Sequence, residues 1–411
     1  MKVCLNKDHM IFNLFQKYSA VFSKFLNTLL IVVFIGLEEL GLYAFLLASS
    51  NIFASIAGLG LRDIFVREFL KKKGKDNDQI YFVLFCEILI KISLILSSLI
   101  VLLIINFTNI NFWHALSVIF LGIAETSSQM TSQKLRAIGH NTISQLCLNV
   151  RPIIVSLSLL VCYFVSSAFL QNYFIQIAVI SYLLPAMFFY LYWLLKYKKL
   201  FSINLRYKEF NKNLRNFLPE LPGLLALSIG NKATSRIDVI FVSSFLGMTA
   251  AGMYRLITQL VMIANASIYP IESYYKKKLA ITIQSKDKFQ SSQIMTKASF
   301  LGFIFYICIL LPACLLFYVI PFEESIKYQD EFIISLIIVS LTGLVRSLVP
   351  LLNSYVVFIN KVNKAGSILF IIVLISTMLH YFLVPIYGLV ATALNVFAAT
   401  LVWRIIAMRF L

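Results

Sequence analysis

Charge is scarce in this chain. Only 13% of its 411 residues are Asp, Glu, Lys or Arg, and acids are the scarcer sign, 18 against 36 Lys and Arg. Water-soluble domains carry about 25% charged residues, so a soluble enzyme is excluded. Its cysteines (Cys4, Cys86, Cys147, Cys162, Cys308 and Cys314) stand singly or far apart, mostly in apolar runs. They suggest neither a disulfide framework nor a metal cluster. His9, His114, His140 and His380 are scattered and form no site visible in the sequence. A GxxxxGK[ST] phosphate loop, an HExxH zinc helix and a GxSxG nucleophile turn are missing too. The chain therefore reads as a non-enzyme that hydrolyses no ATP and needs no metal or cofactor. Long outer connectors are also lacking, which excludes an external catalytic domain.

What is abundant is apolar length. Hydrophobic residues make up 60% of the chain, with 36 Phe and 20 Tyr, and the mean hydropathy is +0.86. Runs such as LILSSLIVLLII and LFIIVLIS do not alternate as outer-membrane strands do; they are helices. A spanning helix takes about 20 apolar residues. The sequence predicts an all-α polytopic membrane protein with twelve spans: 18–37, 42–61, 81–105, 113–133, 144–166, 173–195, 221–246, 251–271, 299–320, 332–358, 366–384 and 388–408. The segment MKVCLNKDHM shows no cleavage site ahead of the first span, so uncleaved insertion is expected.

The net charge of +18 is explained by topology, not by nucleic acid, which is not expected as a partner. With the N-terminus inside, 27 Lys and Arg fall in inner segments, the densest being 62–80, 196–220 and 272–298, while the opposite side holds only Lys327 in an acidic connector at 321–331. Such a bias sets orientation, so both termini are expected in the cytoplasm.

An internal repeat divides the chain. FIGLEELGLY at 34–43 and FLGMTAAGMY at 245–254 share F-x-G-x-x-x-x-G-x-Y at an offset of 211, each between the first and second span of its half. Gly36 and Gly247 are expected to end one helix. Gly41 and Gly252 would allow close reversal into the next, with Tyr43 and Tyr254 at headgroup level. Six spans per half keep both halves in one orientation. The expected organisation is a bundle at 1–200, a cytoplasmic linker at 201–220 and a second, parallel bundle at 221–411.

Ionisable residues inside the spans cost several kcal/mol unless they face water or a partner. Lys232 and Arg236 stand four apart and would share one face of span 7. Like charges so placed suit a wet cavity that binds an anion. Lys24, which shares a face of span 1 with Lys17 and Thr28, Arg151, and Arg346 near the centre of span 10 are further candidates for that cavity. Glu87, Glu125 and Asp238 are the clear in-span acids and the candidates for ion coupling. Glu87 and Lys91 form a favourable i,i+4 pair, and Arg255 is expected to snorkel. Pro152, Pro185, Pro222, Pro312 and Pro350 lie within or at the ends of spans and would bend them. A cationic lumen favours phosphate, which Arg meets with a two-pronged fork.

In the order of its parts the chain resembles the polysaccharide-biosynthesis membrane proteins of the Wzx type. These belong to the multidrug/oligosaccharidyl-lipid/polysaccharide exporter superfamily, which also holds the MATE transporters and the lipid II flippases. The resemblance is strongest over 17–75, with a polar-flecked first helix, a short outer turn, Gly41-Leu42-Tyr43, then Gly58-Leu59-Gly60-Leu61 followed by Arg62. It returns over 219–256, where Pro219 and Pro222 precede Lys232, Arg236 and Asp238. Many relatives have fourteen spans, two more than expected here.

The resemblance implies a MATE-like fold and a flippase of the inner membrane. Its substrate would be an undecaprenyl-pyrophosphate-linked O-antigen or capsule repeat unit, carried to the periplasmic leaflet by alternating access. Membrane lipids, the polysaccharide polymerase and the chain-length machinery are the implied partners. Lys24, Arg151, Lys232, Arg236 and Arg346 would bind the polyprenyl-pyrophosphate-linked oligosaccharide. Two alternatives stay open: a cation-coupled drug or metabolite antiporter of the same fold, and a non-flippase membrane component of polysaccharide assembly.

Overall fold

The computed structural model describes residues 7–61, 65, 76–107, 111–138, 140–196, 219–266, 268–285, 287–318, 329–359 and 361–409. Among them all regular structure is helical. The helices are α1 (Lys7–Phe34), α2 (Leu37–Ala57), α3 (Asp76–Phe107), α4 (Phe112–Ala137), α5 (Asn141–Val165), α6 (Ser167–Lys196) and α7 (Leu221–Ala233). They continue with α8 (Ile237–Leu246), α9 (Met248–Ala266), α10 (Ile268–Gln284), α11 (Lys288–Tyr318), α12 (Gln329–Leu348), α13 (Leu352–Phe358) and α14 (Val362–Met408). The connectors expected at 62–80, 196–220 and 321–331 lie largely outside the described residues.

Eight of these helices are long and apolar enough to cross a membrane. Their outer faces are apolar: Ile95, Leu99, Phe164, Phe188, Leu311, Phe382 and Ile386 are all more than half exposed, whereas Asn27, Thr28, Arg151, Asp238, His380 and Asn395 are buried. That inside-out distribution suits a hydrocarbon solvent, where every buried backbone group must be satisfied within the helix.

The described helices are broken at three places, two of them inside expected spans. Span 7 breaks at 234–236 into α7 and α8, with Arg236 at the N-cap at φ −143° and ψ −22°. Span 10 breaks at 349–351 into α12 and α13, where Pro350 lacks the amide that would continue the ladder. This places Arg346 in the last turn of α12, beside the break near the centre of its span. The third interruption lies in α14, whose 47 residues include Gly388 at φ 61° and ψ −141°. At 1.5 Å per residue a straight helix would hold Ser376 and Asn395 about 28 Å apart. Yet the Asn395 amide donates to the Ser376 carbonyl at 2.7 Å. The helix reverses at Gly388, so α14 is a hairpin of two antiparallel arms, as spans 11 and 12 require. Glu331 accepts a bond at 3.4 Å from the Leu389 amide that opens the second arm.

Two compact units divide the chain, one holding Met1–Ser23 and Leu46–Lys232, the other Lys24–Phe45 and Ala233–Leu411. In the first, α4, α5 and α6 pack on one another and α3 packs on α4. Phe53, Ala57 and Ile119 form an apolar cluster there, with Leu94, Val101, Leu102 and Ile123 against it. In the second, the α14 hairpin packs on α8 and α12, and α9 packs on α11 and α12.

The repeated turns meet inside the second unit. Gly36 (φ 127°) and Gly247 (φ 91°) end α1 and α8 in backbone conformations that L side chains rarely adopt. Gly41 and Gly252 act differently from the expectation: they sit inside α2 and α9, and each lies on the other's helix. A Cβ on Gly41 would stand 1.8 Å from the Met248 carbonyl oxygen, and one on Gly252 would stand 2.2 Å from that of Leu37. Tyr43 and Tyr254 are buried beside this close crossing.

Candidate functional site: a polar cluster in each unit

In the first unit, α4 and α5 carry polar side chains on their packed faces. Arg151 donates to Glu125 at 2.5 Å, and its guanidinium lies over the Tyr182 ring, 5.5 Å from the centroid. Gln129, one turn after Glu125, donates to the same carboxylate at 2.5 Å. The charges of Arg151 and Lys232 both act on Glu125. Lys232, in the last turn of α7, donates to the Asn51 side-chain oxygen at 3.2 Å. Glu125, Arg151 and Lys232 therefore form one group carrying a single net positive charge. Asn51 was not legible as a member, because it lies in a span with no charge to mark it.

A second ion pair lies in the same unit. Lys134 donates to Glu87, and both are buried. The Lys134 ammonium also sits 5.7 Å from the Trp193 ring centroid and 6.0 Å from that of Tyr190. This corrects the expected Glu87–Lys91 pair. Lys91 is exposed on α3, while Lys134, counted in the sequence among the inner connector residues, is buried. The i,i+4 rule supplied a partner on the same helix, but packing of α3 on α4 supplied a better desolvated one.

In the second unit, Asp238 in the first turn of α8 is buried. One oxygen accepts from the Val239 amide at 2.8 Å and the other from the Tyr254 hydroxyl at 3.0 Å. Arg346 and Arg236 act on each other's charge, and Arg346 also feels Asp238, Tyr254 and Tyr269. Arg404 donates to the Val349 carbonyl. Lys24 is half-buried on α1, and Thr28 donates to its carbonyl at 3.0 Å.

Asp238 is also felt electrostatically by His380, which sequence reasoning passed over as scattered. His380 is fully buried in the first arm of the α14 hairpin. Its Nδ1 lies 2.8 Å from the Ser376 carbonyl oxygen and 2.6 Å from the Asn395 amide nitrogen. The ring stacks on Phe241 with centroids 5.5 Å apart.

The expected shared face of Lys232 and Arg236 does not exist, because the helix breaks between them. The expected snorkelling of Arg255 is corrected too. It is buried on α9, and Gln259, one turn on, accepts its guanidinium once the amide is oriented by its network.

No family model and no curated protein matches the chain. Solved structures do match over nearly its whole length. An inward-facing multidrug resistance MATE family transporter of the MOP superfamily aligns with 96% of this chain and 93% of its own, at a TM-score of 0.62 and 12% identity. The MATE multidrug transporter DinF-BH, in complex with a rhodamine dye, aligns with 99% of this chain and 95% of its own, at a TM-score of 0.61 and 15% identity. A MATE in complex with MaL6 covers 98% and 95%, at a TM-score of 0.59 and 12% identity.

The chain is an all-α, polytopic membrane protein with a MATE-like fold. These matches overturn the Wzx-type resemblance and the cargo it implied, while the MATE-like fold it implied stands. The three neighbours above are MATE proteins by name, two of them multidrug transporters, and none is named as an oligosaccharide flippase. The O-antigen or capsule role, the lipid-linked oligosaccharide as substrate and the polymerase and chain-length partners fall with it. The reason is physical. The Gly-x-Tyr turns build the crossing of α2 with α9, which serves the fold and carries no information about cargo.

Proposed function

We propose that this protein is a cation-coupled antiporter that exports a drug or metabolite, a transporter and not an enzyme. The observation that carries the proposal is the alignment of nearly the whole chain with multidrug MATE transporters. The chemistry suits the reading. Each unit sets a carboxylate among basic groups, the half-buried Glu125 in one and the buried Asp238 in the other. Binding of a cation by such a carboxylate weakens its hold on neighbouring charges, Arg151 and Lys232 for Glu125, and Arg346 for Asp238. Helices that rearrange on that signal would expose the cargo site alternately to each side.

In this reading Glu125 and Asp238 couple the ion. Glu87, already paired with Lys134, contributes as a structural anchor. Arg151 and Lys232 in the first unit, and Lys24, Arg236 and Arg346 in the second, are the proposed cargo-binding residues and favour an anionic or hydrogen-bond-accepting group. The proposed setting is the bacterial inner membrane with both termini cytoplasmic, supported by the 27 inner Lys and Arg against Lys327 outside. The proposed domain plan is two parallel six-helix bundles, 1–200 and 221–411, joined through 201–220.

The test is transport of the rhodamine dye found in complex with one structural neighbour, in sealed vesicles under an imposed proton or sodium gradient. Movement above protein-free vesicles, lost in Glu125→Gln or Asp238→Asn at equal protein level, supports the proposal. Transport that ignores both gradients, or is unchanged in both variants, overturns it.

A further inference from the structure

The imidazole of His380 is held between groups that suit two different protonation states. Its Nδ1 has a carbonyl acceptor, Ser376 O, at 2.8 Å and an amide donor, Asn395 Nδ2, at 2.6 Å. A bare Nδ1 accepts from Asn395; a protonated Nδ1 donates to Ser376. One atom cannot do both, because two hydrogens would then point at each other across 2.6 Å. The Asn395 contact fits the neutral ring with its hydrogen on Nε2, a tautomer assigned from the network, which leaves a bare Nδ1 facing the Ser376 carbonyl.

Asn395 cannot simply turn over to meet a protonated ring. Its Nδ2 also donates to Ser376 O at 2.7 Å, and its oxygen accepts from the Ser376 hydroxyl at 3.3 Å. Reversing the amide would set its oxygen against the Ser376 carbonyl. Relief requires Asn395 to move, and Asn395 stands on the second arm of the hairpin while His380 and Ser376 stand on the first. A proton on Nδ1 thus changes how the two arms meet below the Gly388 reversal.

Burial opposes a charge on this ring, and a neighbouring carboxylate offsets part of that cost. Among the described residues, α8 brings Asp238 to the hairpin, α9 brings Tyr254 on Asp238, α12 brings Asp330, Glu331 and Arg346, and α13 brings Tyr355. Of these, Asp238 is the one whose charge reaches His380, and Arg346 acts on Asp238 in turn. Phe241, stacked on the ring at 5.5 Å, lies within the range of about 6 Å at which an aromatic ring attracts a cation. The Nε2 atom of His380 is buried and has no hydrogen-bond partner among the described residues. The ring is therefore held from its Nδ1 side only.

We propose that His380, with Ser376, Asn395 and Asp238, is a proton-binding site in the second unit, where a proton bound at Nδ1 displaces Asn395 and shifts the two arms of the α14 hairpin. The step forms one N–H bond at Nδ1, breaks one O–H bond of a hydronium ion and leaves a water molecule. Its use in transport rests on the antiporter reading, and makes the proton, not sodium, the coupling ion.

The experiment is nitrogen NMR of the full-length protein, labelled with 15N at histidine, in lipid nanodiscs. With only four histidines in the chain, the signal missing in His380→Gln identifies its ring. The expected result is a neutral ring with hydrogen on Nε2 at high pH that becomes doubly protonated as the pH is lowered. In Asn395→Leu the Nδ1 signal should lose its acceptor shift at high pH, since the amide donor is gone. A His380 signal that stays in one form at every pH at which the protein remains folded overturns the proposal, as does an Nδ1 signal indifferent to Asn395→Leu.

Transport separates the two readings. Movement of the rhodamine dye driven by a pH gradient should fall to the level of protein-free vesicles in His380→Gln at equal protein level. Movement driven by sodium and unchanged in that variant would overturn proton coupling while leaving the antiporter standing. Movement by the wild type under neither gradient would remove the antiporter reading, and the NMR titration would still decide the proton site.

Discussion

Replacing Gly41 by alanine should separate α2 from α9 and cost most of the stability of their crossing. The added Cβ would stand 1.8 Å from the Met248 carbonyl oxygen, against an ordinary contact of 3.4 Å or more. The helices must part by about 1.6 Å, because the obstacle is backbone and cannot swing aside. A radial gap of about 0.5–1 Å already forfeits a quarter to a half of a dispersion contact, and the residues alongside, among them Leu37, Leu40, Ala250, Ala251 and Leu256, are nearly all fully buried. Overpacking costs about 1–3 kcal/mol, and the upper end applies here. About 3 kcal/mol corresponds to roughly 100-fold in the folding equilibrium, at 1.4 kcal/mol per decade.

Gly252→Ala, whose Cβ would meet Leu37 O at 2.2 Å, should cost nearly as much. The double variant should cost less than the sum, since one parting of the helices relieves both clashes. The measurement is the folded fraction in mixed micelles as denaturing detergent is raised, read by size-exclusion chromatography. Gly36→Ala meets no atom within 4 Å and carries only the strain of its φ of 127°, which gives a comparison without a clash. Wild-type stability in Gly41→Ala, or strict additivity of the pair, would refute the crossing.

Three further outcomes follow from the buried charges and the hairpin. Glu87→Gln should lower folded protein sharply, by about 3–5 kcal/mol, because it strands a buried Lys134. Lys91→Gln should leave the level unchanged or higher, because Lys91 is exposed; quantitative membrane immunoblotting compares the two, and equal losses would contradict the assignment. Glu125→Gln and Arg151→Gln should each reduce abundance, and the double variant should recover part of it by removing both charges together. A coupling energy near zero in that cycle would show that the 2.5 Å pair does not form. Gly388→Ala should destabilise the α14 hairpin by about 1–3 kcal/mol through backbone strain at positive φ, compounded by a Cβ 2.7 Å from the Glu331 carboxylate. Greater protease sensitivity in the hairpin region is the readout, and unaltered cleavage would count against the reversal.

Sequence by itself determined the solvent and the element type. Sparse charge and unbroken apolar runs allow only bilayer-spanning helices, and the repeat at 34–43 and 245–254 marked the two helix ends that Gly36 and Gly247 form. These features are local in the chain, governed by composition, periodicity and the backbone freedom of a missing Cβ. Partner choice is not local. Glu87 had a lysine four residues away and took Lys134 instead, 47 residues on, because helix packing decides which charges are desolvated together. Lys232 and Arg236 keep their spacing in sequence but lose their shared face, since the turn at 234–236 resets the helical phase. His380 and Asn395 became neighbours only through the reversal at Gly388, a single φ/ψ pair that brings together residues a continuous helix would keep far apart. Cargo class was the least legible of all, because the Gly and Tyr positions that carried the family likeness are spent on the packing of α2 against α9.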